Sequence, residues 1–86
     1  MTWRLIVTAP AQRQLARLPE KAATVIASFD AIAANPRKIG KPLKFELEGE
    51  WAARRGPYRV LYEIDPKRRT VTIVAVGHRA DIYRRR

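Results

Sequence analysis

Apolar and polar positions alternate almost from the first residue. In WRLIVT, residues 3–8, Trp3, Leu5 and Val7 share one face, and Val, Ile and Thr favour extended backbone. A helical period follows: Ala11, Leu15 and Leu18 recur at i, i+4 and i+7, with Arg13, Gln14 and Arg17 outside that stripe. Thr8 is placed to cap this helix, and Pro10 is tolerated in its first turn. Pro19 ends it, because the residue before a proline is pushed out of the helical region. Pro19 also suits the first position of a second helix. There Ala22, Val25, Ile26, Phe29, Ile32 and Ala33 form a broad stripe that Asn35-Pro36 stops. The spacing predicts an antiparallel helical hairpin.

Residues 36–50, PRKIGKPLKFELEGE, have no helical period. Leu43, Phe45 and Leu47 alternate with charges, which predicts an extended connection able to carry a short edge strand. Strand signals then return: WAARR, a Gly56-Pro57 turn, YRVLYEID over residues 58–65, a Pro66–Arg69 turn, and TVTIVAVG over residues 70–77. The last run is nearly continuously apolar, as expected of a central strand or one covered on both faces. The expected fold is α+β, in the order β-α-α-β-β-β. A two-helix N-terminal hairpin packs on one face of an antiparallel or mixed sheet of about four strands, in a single domain spanning 1–86. The other face is left free, and function is expected there.

Composition narrows the classes of partner. With 18 Lys+Arg against 8 Asp+Glu, the chain carries a formal net charge of +10, a self-repulsion that a polyanion would relieve. Residues 1–48 hold 8 basic and 4 acidic groups; residues 49–86 hold 10 and 4, all ten basic ones being Arg except Lys67. Guanidinium grips phosphate in a fixed fork, so this weighting favours nucleic acid first and an acidic protein second. No strongly amphipathic basic helix supports a membrane partner. The longest early apolar run, Leu5–Val7, is too short for a signal peptide or a span, and a cytoplasmic protein is expected. There is no cysteine and a single histidine, so neither a thiolate zinc site nor a disulfide can form. No nucleotide-binding fingerprint is present either, and neither cofactor nor metal is expected.

In YRVLYEID, period-2 geometry puts Tyr58, Val60, Tyr62 and Ile64 on one face and Arg59, Leu61 and Glu63 on the other. Arg59 either pairs with Glu63 or a cross-strand acid, or serves a site; Arg54 or Arg55, one hairpin away, could join it around an anion. His78 and Arg79 end the next strand. His78 is the one side chain able to exchange protons near neutral pH, although a lone histidine is more often structural. Tyr83 could stack on a base or cap the core, and Asp81 most simply pairs with an arginine. Arg84, Arg85 and Arg86 form a basic tail of low specificity. An arginine-lined surface with His and Tyr is sufficient for one reaction without a cofactor, attack of an RNA 2′-OH on its own 3′ phosphate.

The segments GPYRVLYEID and VAVGHRADIYR, together with the Leu-x-Gly-x-Trp ending of KPLKFELEGEW, closely resemble the RelE branch of the RelE/ParE toxin superfamily. The resemblance spans essentially the whole chain. It implies a toxin of a type II toxin–antitoxin system that cleaves mRNA in the A site of the 70S ribosome. It also implies inhibition by an acidic RelB-like antitoxin, with operator DNA bound only through the antitoxin complex. By position, Arg59 and Arg79 match arginines at the scissile phosphate, and Tyr83 matches a tyrosine that positions the substrate. Arg54 matches one of two basic residues of the preceding strand; the other falls at about Ala52, where this chain has no charge. His78 or Arg55 would then compensate. The alternatives are a ParE-like DNA gyrase inhibitor and an inactive relative that only binds antitoxin and operator.

Overall fold

The computed structural model describes residues 3–18, 22–80 and 82. Strand β1 (Arg4–Val7) alternates exposed and half-buried residues as its sequence requires. Helix α1 (Ala9–Ala16) starts directly after it. Thr8 serves both elements. Its backbone N–H and its hydroxyl donate to the Ile73 carbonyl at 3.1 and 2.9 Å, and its Oγ1 accepts from the Ala11 N–H at 3.3 Å. The cap that satisfies the first helical turn therefore also locks α1 onto the sheet.

Helix α2 (Ala22–Ala34) follows, with Val25, Phe29 and Ile32 buried. Residues 19–21, which include the predicted Pro19 start, lie outside the described residues. The supposed extended connection contains a one-turn helix, α3 (Pro36–Ile39), a two-residue strand, β2 (Lys41–Pro42), and a 3₁₀ turn, Phe45–Leu47. The two-residue strand answers to the short edge strand expected of this connection, whereas α3 and the 3₁₀ turn are too short to show a period. Strands β3 (Glu50–Arg55), β4 (Tyr58–Asp65) and β5 (Thr70–His78) complete the regular structure of the described residues. Gly56, first in the β3–β4 turn, has φ 57°, the left-handed conformation that a two-residue hairpin loop asks of its first residue.

Among the described residues the sheet has five strands in the order β1-β5-β4-β3-β2 and is mixed. β1 runs parallel to β5, and all other neighbours are antiparallel. β1 covers β5 only from Thr70 to Ile73; farther along, Gln14 of α1 accepts from the Val76 N–H at 2.8 Å. The main core lies between helices and sheet, with Trp3, Ala11, Val25, Ile32, Val60, Tyr62, Val71 and Ile73 among its members. Tyr62 donates its hydroxyl to the Pro36 carbonyl at 2.5 Å, fixing α3 against the sheet. Arg37 and Arg69 both lie over the Trp3 ring, 5.3 and 4.7 Å from its centroid.

The expectation that the second face is free requires correction. Leu61, Ala75 and Ile82 form a small buried cluster there, joined by Leu43, Ala52 and Val74. The cause is a bulge: Leu61 opposes Ala75 while Tyr62 opposes Ile73, leaving Val74 as the extra residue on β5. Residues after the bulge change sides. Ala75 faces outward with Val74, and Val76 joins the helix-side core. Because 70–77 is apolar at almost every position, periodicity gave no sign of this shift. Among the described residues, no helix is long and apolar enough to cross a membrane.

Candidate phosphate-binding site

Register decides which of the predicted site residues meet. Arg54 stands directly opposite Arg59 across β3–β4, and Arg59 opposite Gly77 across β4–β5. Directly opposed residues share a face, so Arg54 and Arg59 lie together on the face away from the helices. Arg55 opposes Tyr58, and Tyr58 opposes His78. Those three therefore share the helix side, where the Tyr58 and His78 rings meet edge to face at 5.9 Å. The bulge at Val74 is what turns His78 to this side. The structure thus brings Arg54 to Arg59 and does not bring Arg55 or His78 to them.

The guanidinium of Arg59 donates to the Gly56 and Tyr58 carbonyls at 3.3 and 3.1 Å. Glu63, the acid that the sequence offered it, sits four residues along the strand, roughly 13 Å away by strand geometry. It faces Glu50 and Thr72 instead. Among the described residues no carboxylate pairs with Arg54, Arg59 or Arg79. The backbone N–H of Arg79 donates to the Pro57 carbonyl at 2.9 Å, so the end of β5 is tied to the same turn that receives Arg59. A second link shapes this corner. His78 Nδ1 accepts from the Ala80 N–H at 3.1 Å, and the Ile82 N–H donates to the His78 carbonyl at 3.0 Å. Neutral His78 consequently carries its proton on Nε2, and the turn folds Ile82 back over Gly77.

Two concavities adjoin this corner. On the open face, Ile39, Lys41, Ala52, Arg54 and Arg59 line a depression of about 270 Å³. At the end of β5, Gln14, Arg17, Leu18, Val76, Gly77, His78 and Ile82 border one of about 190 Å³. The first holds three cations, and no acid lines it; the second is mainly apolar. Lys41 is the residue that sequence reasoning missed. Its only signal was the i, i+2 spacing that sets it on the same face as Leu43, in a stretch whose strand partner could not be guessed. Asp81, Tyr83, Arg84, Arg85 and Arg86 lie outside the described residues.

A sheet backed by helices is also the fold that comparison with solved structures finds. The family model for the ParE toxin of type II toxin-antitoxin system, parDE, matches residues 5–83, and the chain belongs to this RelE/ParE superfamily of type II toxins. Its similar relatives specify the branch, which is RelE-type. The chain is 47% identical over 87 residues to Toxin RelG of Mycobacterium tuberculosis, covering 99% of this chain and 100% of that one. To Toxin RelE of the same organism it is 45% identical over 84 residues, covering 95% and 87%. The toxin–antitoxin complex RelBE2 from M. tuberculosis contains a chain that superposes with TM-score 0.86 at 42% identity, over 94% of this chain and 95% of that one.

Proposed function

We propose that this RelE-type toxin is a ribosome-dependent endoribonuclease that cuts mRNA in the A site and so arrests translation. The observation that carries the reading is the pairing of Arg54 with Arg59 beside the turn that holds Arg79, in a depression that no acid lines among the described residues. A phosphodiester seated there meets fixed guanidinium forks, the geometry suited to bidentate phosphate contact. In the reaction the ribose 2′-oxygen bonds to the adjacent phosphorus and the bond to the 5′-oxygen breaks. The 2′-hydroxyl proton is lost and the 5′-oxygen gains one, leaving a 2′,3′-cyclic phosphate and a 5′-hydroxyl. Charge grows on the phosphoryl oxygens in between, and positioned cations stabilise it. DNA is spared because it lacks the nucleophile.

Arg54, Arg59 and Arg79 are the phosphate residues of this reading. His78 enters as a positioning residue: it faces the helices, and its Nδ1 holds the turn that follows Arg79. To Tyr83 we assign stacking on a splayed base, and to Arg84 and Arg85 general attraction for RNA. Arg55, on the helix side, has no part in the cleft. An acidic RelB-like antitoxin is the expected inhibitor, since the surface is strongly basic and the M. tuberculosis relative was solved in a RelBE2 complex. Operator DNA would be reached through that complex.

Primer extension on mRNA in programmed 70S ribosomes with an empty A site tests the reading. New 5′ ends within the A-site codon, absent without ribosomes, are expected. No cleavage with or without ribosomes would move the assignment to gyrase poisoning or to an inert relative.

A further inference from the structure

The open-face depression contains a cation that the arginine pair leaves unexplained. Strand β2 is only two residues long, yet its pairing sets Lys41 directly across from Ala52. Their Cβ atoms then stand about 4.5–5.5 Å apart on one face. Arg54 lies two residues farther along β3, on that same face, and opposes Arg59. Lys41, Ala52, Arg54 and Arg59 thus occupy neighbouring positions on three adjacent strands, with Ile39 as the apolar wall. The methyl group of Ala52 leaves open the space into which the three longer side chains can converge. Pro42 pairs in turn with Trp51, and the Leu43 N–H donates to the Glu50 carbonyl at 2.8 Å, so this short edge is held in the register that places Lys41 opposite Ala52.

We propose that Lys41 is a phosphate-binding residue of the cleavage site, its Nζ donating to a non-bridging oxygen of the phosphate held by Arg54 and Arg59. The assignment rests on the nuclease reading above and deepens it. A lysine differs from the arginines in kind: its ammonium is a compact point charge on a flexible stem, able to follow an oxygen whose position changes during the reaction. The guanidiniums fix the phosphate, and the ammonium tracks the charge that develops on it. Lys41 transfers no proton in this scheme; the bonds made and broken are those already described.

Single-turnover cleavage in programmed ribosomes tests this, with wild type, Lys41→Ala, and the double variant Lys41→Ala/Ala52→Lys. Lys41→Ala should slow cleavage about 10²-fold, the scale of losing one positioned donor. Its melting temperature should match wild type, because Lys41 is exposed. The double variant should recover at least ~10-fold of that loss, since the ammonium re-enters the same depression from the adjoining strand. A purely structural role for Lys41 would lower stability and gain nothing from a lysine on β3. Cleavage by Lys41→Ala at the wild-type rate overturns the proposal, as does a loss that Ala52→Lys leaves unrelieved. A wild-type protein without any cleavage would instead remove the nuclease reading, and the role of Lys41 with it.

Discussion

On the helix-covered side of the sheet, Val60, Tyr62, Val71 and Ile73 are completely buried, and the one hydroxyl among them is bonded to Pro36. On the opposite side Ile82 and Leu43 cover only Leu61, Ala75 and their neighbours; Lys41, Arg54 and Arg59 gather toward one end of that face, and Glu50, Glu63 and Thr72 lie toward the other. The same strands supply both surfaces, so the difference comes from what each can satisfy. A closed face admits a polar group only with a partner, because an unpaired one loses its hydration without replacement. A half-covered face keeps enough water to hold three like charges, water that a phosphate would replace under the proposed function. Under the proposed function, stability and chemistry fall on opposite sides of one sheet.

Changes at the closed face should act on stability. A Cβ on Gly40 would collide with the Tyr62 hydroxyl and lie 2.9 Å from the Ala52 carbonyl. Gly40→Ala is therefore expected to cost about 1–3 kcal/mol, the usual range for overpacking. For a domain of this size that lowers the melting temperature by about 4–8 °C per kcal/mol. An unchanged melting temperature would show that the contact relaxes freely.

The next effect is one of pH. Burial pushes the Tyr62 phenol from 10.0 up to about 12, a rise that the backbone at Gly40 partly offsets. A raised folded-state value means that the neutral phenol stabilises the fold fully below pH 10.0 and that this contribution disappears as pH climbs toward 12. Thermal denaturation between these limits should show a loss that Tyr62→Phe removes. If the variant falls in parallel with wild type, other groups are responsible.

The smallest change belongs to the 3₁₀ turn between β2 and β3. Phe45 is 86% exposed with φ 60°. Phe45→Gly relieves a left-handed strain of roughly 1–2 kcal/mol, set against the greater chain entropy of glycine. The net shift should stay within about 1 kcal/mol of zero. A larger loss in chemical denaturation would mean that the Phe45 ring contributes packing.

Much of this architecture was legible in the chain. The Thr8 cap, the bounds of β4 and the turns at Gly56-Pro57 and Pro66–Arg69 each rest on a local signal that tertiary packing had no reason to override. Arg54 and Arg59 could be associated because one short hairpin joins them. What escaped notice depended on pairings between segments distant in sequence. Lys41 joins the depression only because β2 pairs with β3. His78 leaves the open face only because Val74 bulges within a run too uniformly apolar to reveal it. Arg55 illustrates the same limit at shorter range, since composition cannot distinguish it from Arg54 and strand register can.

That adjacent pair supplies the most direct test of the two-sided account. Arg54→Ala and Arg55→Ala remove the same charge from neighbouring positions on opposite faces of β3, and so share any effect of net charge. Cleavage rates in programmed ribosomes should fall at least ~10-fold for Arg54→Ala, as expected for a lost charge-assisted phosphate contact. Arg55→Ala should stay within about twofold of wild type, as a surface charge outside the cleft. Equal losses in the two variants, or a larger loss for Arg55→Ala, would contradict the assignment of chemistry to the open face.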